Sequence, residues 1–191
     1  YGSGYMHIPV LLKKGLNELY IRGGNMLPEI IPLNKPVHIH TDDVTSPHIV
    51  LNQQNGILKI ALVISNASSE AVSKLTVTTN LEGKKKSSVI ADIPAFSTRK
   101  VVFEADASGI SKVGKFNCDV VLSKNNKILD QQTITQEAVA PGAHYASTFI
   151  SGIDGSLQYY AVAPQINGTK PGSALFLSVH GAGVEAIGQA R

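Results

Sequence analysis

The residues with the strongest chemical signature are His180-Gly-Ala-Gly183, which directly follow the uncharged run Ala174-Leu-Phe-Leu-Ser-Val179. A run of that length, preceded by Pro171-Gly172, is too short for a buried helix and is expected to form a strand covered on both faces. Two glycines straight after such a strand let the backbone turn sharply, and the amides exposed there can hold an anion. Residues 184–191 are then expected to open a helix. A second group is His38-x-His40, with Asp42 and Asp43 close behind. Positions two apart on a strand share a face, so the two imidazoles and a carboxylate offer zinc-type donors. A third ligand of defined geometry does not follow from the spacing. The competing reading puts Val37 and Ile39 toward the core and both histidines toward solvent or a neighbouring domain; on it, no metal and no cofactor are expected.

The strand ending in His180-Gly-Ala-Gly183 resembles the segment after the third strand of α/β-hydrolases, a likeness covering roughly residues 145 to 191. Gly-Ala-Gly is similar to the branch of secreted esterases and prolyl-oligopeptidase-like peptidases. What the resemblance implies is half an oxyanion hole. The backbone N–H groups of Ala182 and Gly183 would be its donors, Gly181 would allow close approach, and His180 would shape the loop without serving as the base. The plainer alternative is that Gly181 and Gly183 make a turn after a core strand. The family's nucleophile, Gly-x-Ser-x-Gly, has no counterpart, since Tyr1-Gly-Ser-Gly-Tyr5 has the wrong register. The implied parent is a longer serine hydrolase acting on esters or peptides through an acyl-enzyme, in a secreted or periplasmic setting. This chain by itself is expected to be inactive. Its expected partners are the rest of its own hydrolase chain and an ester, peptide or carbohydrate-linked substrate. The alternative from another class is a non-catalytic carbohydrate-binding or spacer module.

The elements that must carry these groups are mostly strands. Residues 57–64, 74–79, 88–93, 99–104, 115–123 and 128–135 are rich in β-branched side chains and are separated by turn signals such as Glu82-Gly83-Lys84 and Asn125-Asn126. About seven strands in roughly a hundred residues, with no helical periodicity, predict an Ig-like or fibronectin-like β-sandwich. Ile60-Ala-Leu-Val-Ile-Ser-Asn66 followed by Leu75-Thr-Val-Thr resembles the paired strands of bacterial Ig-like modules. Before it, His7-Ile-Pro-Val-Leu-Leu12 and Leu16-Asn-Glu-Leu-Tyr-Ile-Arg22 flank Lys13-Lys-Gly15 and are expected to pair as a hairpin. That hairpin is similar to the closing hairpin of jelly-roll modules attached to carbohydrate-active enzymes. After the break at Ala140-Pro-Gly142, strands are expected on both sides of Asp154-Gly155. The expected fold class is therefore mainly β, a sandwich followed by the truncated start of an α/β-hydrolase domain. Residues 1–36 read as a hairpin remnant and linker, 37–140 as the Ig-like sandwich, and 141–191 as the N-terminal fragment of the hydrolase domain.

Composition excludes several functions. With 43% hydrophobic and 16% charged residues the 191-residue chain is globular, and a net charge of +3 without a basic patch interleaved with aromatics gives no reason to expect nucleic acid. No apolar run reaches the roughly 20 residues of a membrane helix, so no membrane partner is expected. Lys84-Lys-Lys86 reads as a solvated hairpin tip. Cys118, the one cysteine, alternates with Phe116, Val120 and Leu122 and reads as a small buried hydrophobe. Of Tyr159-Tyr160, one ring is expected to face in and one out. Asn66-Ala-Ser68 and Asn167-Gly-Thr169 match the glycosylation acceptor triplet, a pattern common by chance.

Overall fold

The computed structural model describes residues 6–22, 27–53, 56–164, 176–179 and 186–189. Eight strands fill residues 37–139: β1 (Val37–Thr45), β2 (Ile49–Val50), β3 (Ile57–Asn66), β4 (Leu75–Leu81), β5 (Lys84–Ile90), β6 (Ser97–Asp106), β7 (Gly114–Lys124) and β8 (Lys127–Val139). They form two sheets, β1-β3-β6 and β2-β8-β7-β4-β5. Alternation decides which side chains lie between them. In β4, Leu75, Val77, Thr79 and Leu81 are buried while the residues between are half-buried. In β7, Phe116, Cys118, Val120 and Leu122 point inward together. With Ile60, Leu62, Ile64 and Phe103 from the facing sheet they make one continuous apolar core. All named pairings are antiparallel except β2 with β8, which run parallel because the chain crosses from one sheet to the other between β1 and β2.

The turns obey local chemistry. Glu82 and Gly83 (φ 48° and 79°) and Asn125 and Asn126 (φ 49° and 63°) close two-residue hairpins of the type I′ kind, which needs positive φ at both central positions. Lys84–Lys86 are not the tip that the sequence suggested. They begin β5, the outer strand of the five-stranded sheet, where a row of lysines discourages edge-to-edge pairing with another chain. Side chains clasp the sandwich shut along this edge: Thr79 Oγ1 donates to the Glu104 carbonyl (2.9 Å) and Ser88 Oγ accepts the Glu104 amide (2.9 Å).

Cys118 is fully buried, and burial pushes its thiol up to about 11. A thiol held neutral and enclosed is a poor nucleophile. A disulfide reagent at mildly alkaline pH is therefore expected to label it only after denaturation; labelling of the native protein at the denatured rate would show that β7 opens readily.

After the turn at Ala140-Pro141-Gly142, closed by the Ala143 amide on the Ala140 carbonyl (3.1 Å), a separate hairpin forms from β9 (Tyr145–Ile150) and β10 (Leu157–Val162). Its loop runs from 151 to 156, longer than the two-residue Asp154-Gly155 turn expected, with Ser151 and Ser156 pairing across it. The hairpin docks through His48, whose amide donates to the Ala146 carbonyl (2.9 Å) and whose Nδ1 accepts the Ala146 amide (2.7 Å).

Two expected elements differ. Residues 6–22 form no strand ladder; a turn remains at Gly15, held by Asn17, which bonds the Lys13 amide and carbonyl and the Gly15 carbonyl. Two strands without a third to cover them are marginal in water. Likewise Phe176–Val179, the described part of the expected buried strand, is irregular, and Phe176 and Leu177 are 91% and 84% exposed. A strand covered on both faces needs strands beside it and layers above and below, and no described element supplies them. Leu177→Asp is consequently expected to change the urea midpoint of this chain by no more than about 0.5 kcal/mol equivalent; a large loss would place Leu177 in a core. Residues 186–189 form a single helical turn, α1 (Ala186–Gln189). No helix among the described residues is long and apolar enough to cross a membrane.

Candidate functional site

Among the described residues, a group of histidine and aspartate side chains converges where β1 meets the segment around His7. Val37 and Ile39 of β1 point into the core (3% and 1% exposed), so His38 and His40 emerge together on the opposite face. Their rings meet edge to face at 4.9 Å, and His7 stacks on His40 with ring centroids 3.6 Å apart and planes 16° from parallel. His7 Nε2 lies 2.7 Å from Asp42 Oδ2. His40 Nε2 meets Ser65 Oγ at 2.8 Å, Ser65 Oγ meets Thr98 Oγ1 at 2.8 Å, and Thr98 Oγ1 donates to the His7 carbonyl at 2.8 Å. Burial, with the neighbouring imidazoles of His7 and His38 adding to it, lowers the pKa of His40 to about 4. Its ring is thus neutral near pH 7.

Asp130 of β8 sets the position of β1. Its side chain is 1% exposed and accepts from the Ile39 amide (2.8 Å), the Gln131 amide (2.9 Å) and Lys35 Nζ (2.7 Å), with His38 Nδ1 at 3.3 Å. Burial opposes its charge, but these donors outweigh the penalty and hold the carboxyl below its ordinary value. β1 is an outer strand, and this carboxylate occupies its free amide at Ile39, tying one sheet to the other.

His7, His40 and Asp42 have ligand-capable atoms that all lie within 4.8 Å of one another. Spacing alone groups His38 and His40 with Asp42 and Asp43, but His38 faces Asp130, and Asp43 bonds Lys100 Nζ at 2.6 Å. The third donor, His7, lies 35 positions before Asp42, and no local period announces it. Asp130 was legible in principle: it shares inward parity with Ile134, Gln136 and Ala138, and a carboxylate at an inward strand position demands partners.

His180, Gly181, Ala182 and Gly183 lie outside the described residues, as does Asn167-Gly-Thr169. Asn66 is fully buried, so its amide is closed to a glycan in the folded chain. Tyr159 is half-buried and Tyr160 exposed, its ring 6.1 Å from that of Phe149. An open groove of about 330 Å³ runs between β2, β3 and β9, lined by Pro47, His48, Tyr145 and Phe149 among others. The imidazole lining it is already engaged, through Nδ1 by the Ala146 amide.

This is a mainly β protein. No family model matches the chain, and no curated protein matches it. Similar solved structures include the CARDB domain of a Pyrococcus furiosus protein, at 11% identity and a TM-score of 0.39, covering 55% of this chain and 94% of that one. The Amycolatopsis orientalis exo-chitosanase CsxA is similar at 16% identity and a TM-score of 0.38, over 66% of this chain and 15% of its own. The Pseudomonas fluorescens alkylpurine DNA glycosylase AlkC, solved bound to DNA, is similar at 14% identity and a TM-score of 0.38, over 56% of this chain and 32% of its own. Likenesses this distant assign no activity.

Proposed function

We propose that this chain is a non-catalytic β-sandwich module that positions a neighbouring domain of a larger protein, which it contacts through the segment preceding β1. The observation that carries this reading is the distribution of exposed apolar side chains. Among the described residues, thirteen large apolar side chains of residues 6–33 are exposed, against five of residues 37–139, so the sandwich satisfies its own core while the flank does not. Met6, Ile8, Val10 and Leu12 fall at alternate positions, as a strand presents one face. Apolar surface gathered in this way marks an interaction site. A hydrolase as the neighbouring domain, and the exported setting that goes with it, rest on the resemblance of residues 174–183 to the oxyanion segment of α/β-hydrolases.

The test uses the whole chain. An apolar dye is expected to bind residues 1–191 strongly and to bind far less after the exposed row is made polar by Ile8→Ser, Val10→Ser and Leu12→Ser together, with the urea midpoint unchanged. Hydrolysis of a p-nitrophenyl ester is expected to stay at background. Dye binding unaffected by the triple substitution would overturn the docking assignment, and ester turnover abolished by phenylmethylsulfonyl fluoride would overturn the non-catalytic one.

A further inference from the structure

We propose that His7, His40 and Asp42 form a binding site for a divalent transition-metal ion of the zinc class, which clips the segment around His7 onto β1. Two imidazole nitrogens and one carboxylate oxygen are a zinc-type donor set, with a fourth position left to water, and they suit magnesium or calcium poorly.

The hydroxyl chain beneath the rings fixes which atom of His40 would bind. Thr98 Oγ1 has one proton and gives it to the His7 carbonyl, so in its contact with Ser65 it must accept. Ser65 has then spent its own proton on Thr98 and must accept in turn from His40 Nε2–H. The remaining nitrogen, Nδ1, therefore carries the lone pair. Ser65 is 1% exposed, so this is a built support. A ring whose second nitrogen donates to a fixed acceptor is the usual way a metal-binding histidine is oriented. The same chain ends on the backbone of His7, so both imidazoles are tied to one scaffold.

For the ion to bind there, the proton between His7 Nε2 and Asp42 Oδ2, now 2.7 Å apart, must leave Nε2 and be carried by the ring's Nδ1 instead, so that His7 remains a neutral ligand. Ligands about 2.0 Å from a tetrahedral ion lie about 3.3 Å from each other, whereas ligand-capable atoms of the three residues now lie within 4.8 Å of one another. Near-parallel stacked rings cannot aim two in-plane lone pairs at one point. Binding therefore swings His7 off the stack, since His40 is held by Ser65 while His7 sits on a segment without a strand ladder.

Isothermal titration of chelator-treated protein with zinc, alongside thermal melts, tests this. The native chain is expected to take up one equivalent at micromolar zinc and to melt higher with it. His7→Ala and Asp42→Ala should lose both effects, whereas His144→Ala, which removes a histidine outside the set, should keep them. His7→Cys should retain binding and, with cobalt in place of zinc, show a thiolate charge-transfer band that the native protein lacks. His7 lies outside both sheets, so its variants should keep the urea midpoint of the parent in chelator. The proposal is overturned if the native chain takes up no zinc, if His7→Ala binds undiminished, or if His144→Ala abolishes binding.

Discussion

Replacing Asp130 by alanine is expected to lower the free energy of unfolding by about 3 kcal/mol, because it strands a buried backbone donor and removes the buried carboxylate that Lys35 and His38 face. The Ile39 amide, which faces away from β3 at the edge of its sheet, would lose the Asp130 carboxylate, its partner at 2.8 Å, and an orphaned buried N–H costs about 1–3 kcal/mol by itself. The charge-assisted contacts of Lys35 and His38 go with it. Lys35 is 52% exposed and regains water, so Lys35→Met is expected to cost no more than about 1 kcal/mol; the asymmetry separates the backbone contribution from the ion pair. Asp130→Asn keeps the shape and one acceptor oxygen and should fall between the two. Urea unfolding gives the energies. Hydrogen exchange adds a local readout, since the Ile39 amide should lose protection in Asp130→Ala more than amides in the centre of β7. An unchanged midpoint with full protection at Ile39 would show that β1 is held by its pairing with β3 alone.

Asn66→Asp is expected to be more damaging than Asn66→Ala, an inversion of the usual preference for the isosteric change. Asn66 is fully buried at the end of β3, and its amide NH₂ faces three carbonyls, those of Glu70 (2.8 Å), Ile93 (3.1 Å) and Pro94 (2.9 Å). Its Oδ1 accepts the Ser68 amide (3.0 Å) and hydroxyl (2.6 Å). One side chain thus pins the β3–β4 connection to the loop before β6. Alanine leaves those groups without partners, for a loss of about 2–4 kcal/mol. Aspartate puts an anionic oxygen among three carbonyl oxygens, so it must either bury an unpaired charge or take up a proton. Its deficit should therefore shrink as the pH falls through the carboxylate range, while that of alanine should not. Equal losses at neutral pH for the two variants would mean that the loop rearranges to admit water.

The strands of the sandwich were legible because their information is local. Alternation in 75–81 and 114–124 needs only the period of two, and Gly83, Asn125, Asn126 and Gly142 are residue types that accept the positive φ their turns need. Burial of Cys118 followed from the same parity. Where each strand's edge ends up is not local. Lys84–Lys86 read as a tip, and only the sheet order shows them opening an outer strand. The apolar runs at 7–12, 16–22 and 176–179 have strand composition but lack strand structure here, since a ladder needs a neighbour and composition does not say whether one is present.

Local pattern carries the mainly β character, the parity that sends Val37 and Ile39 inward with His38 and His40 outward, and the positions of most turns. That His38 turns to Asp130 while His40 meets His7 and Asp42 follows from the folded packing and not from any local pattern. The reason is distance along the chain. Asp130 lies 91 positions from the amide it holds and His7 lies 35 from its carboxylate, and side-chain periodicity carries no information across such separations. Packing one sheet on the other brings them together.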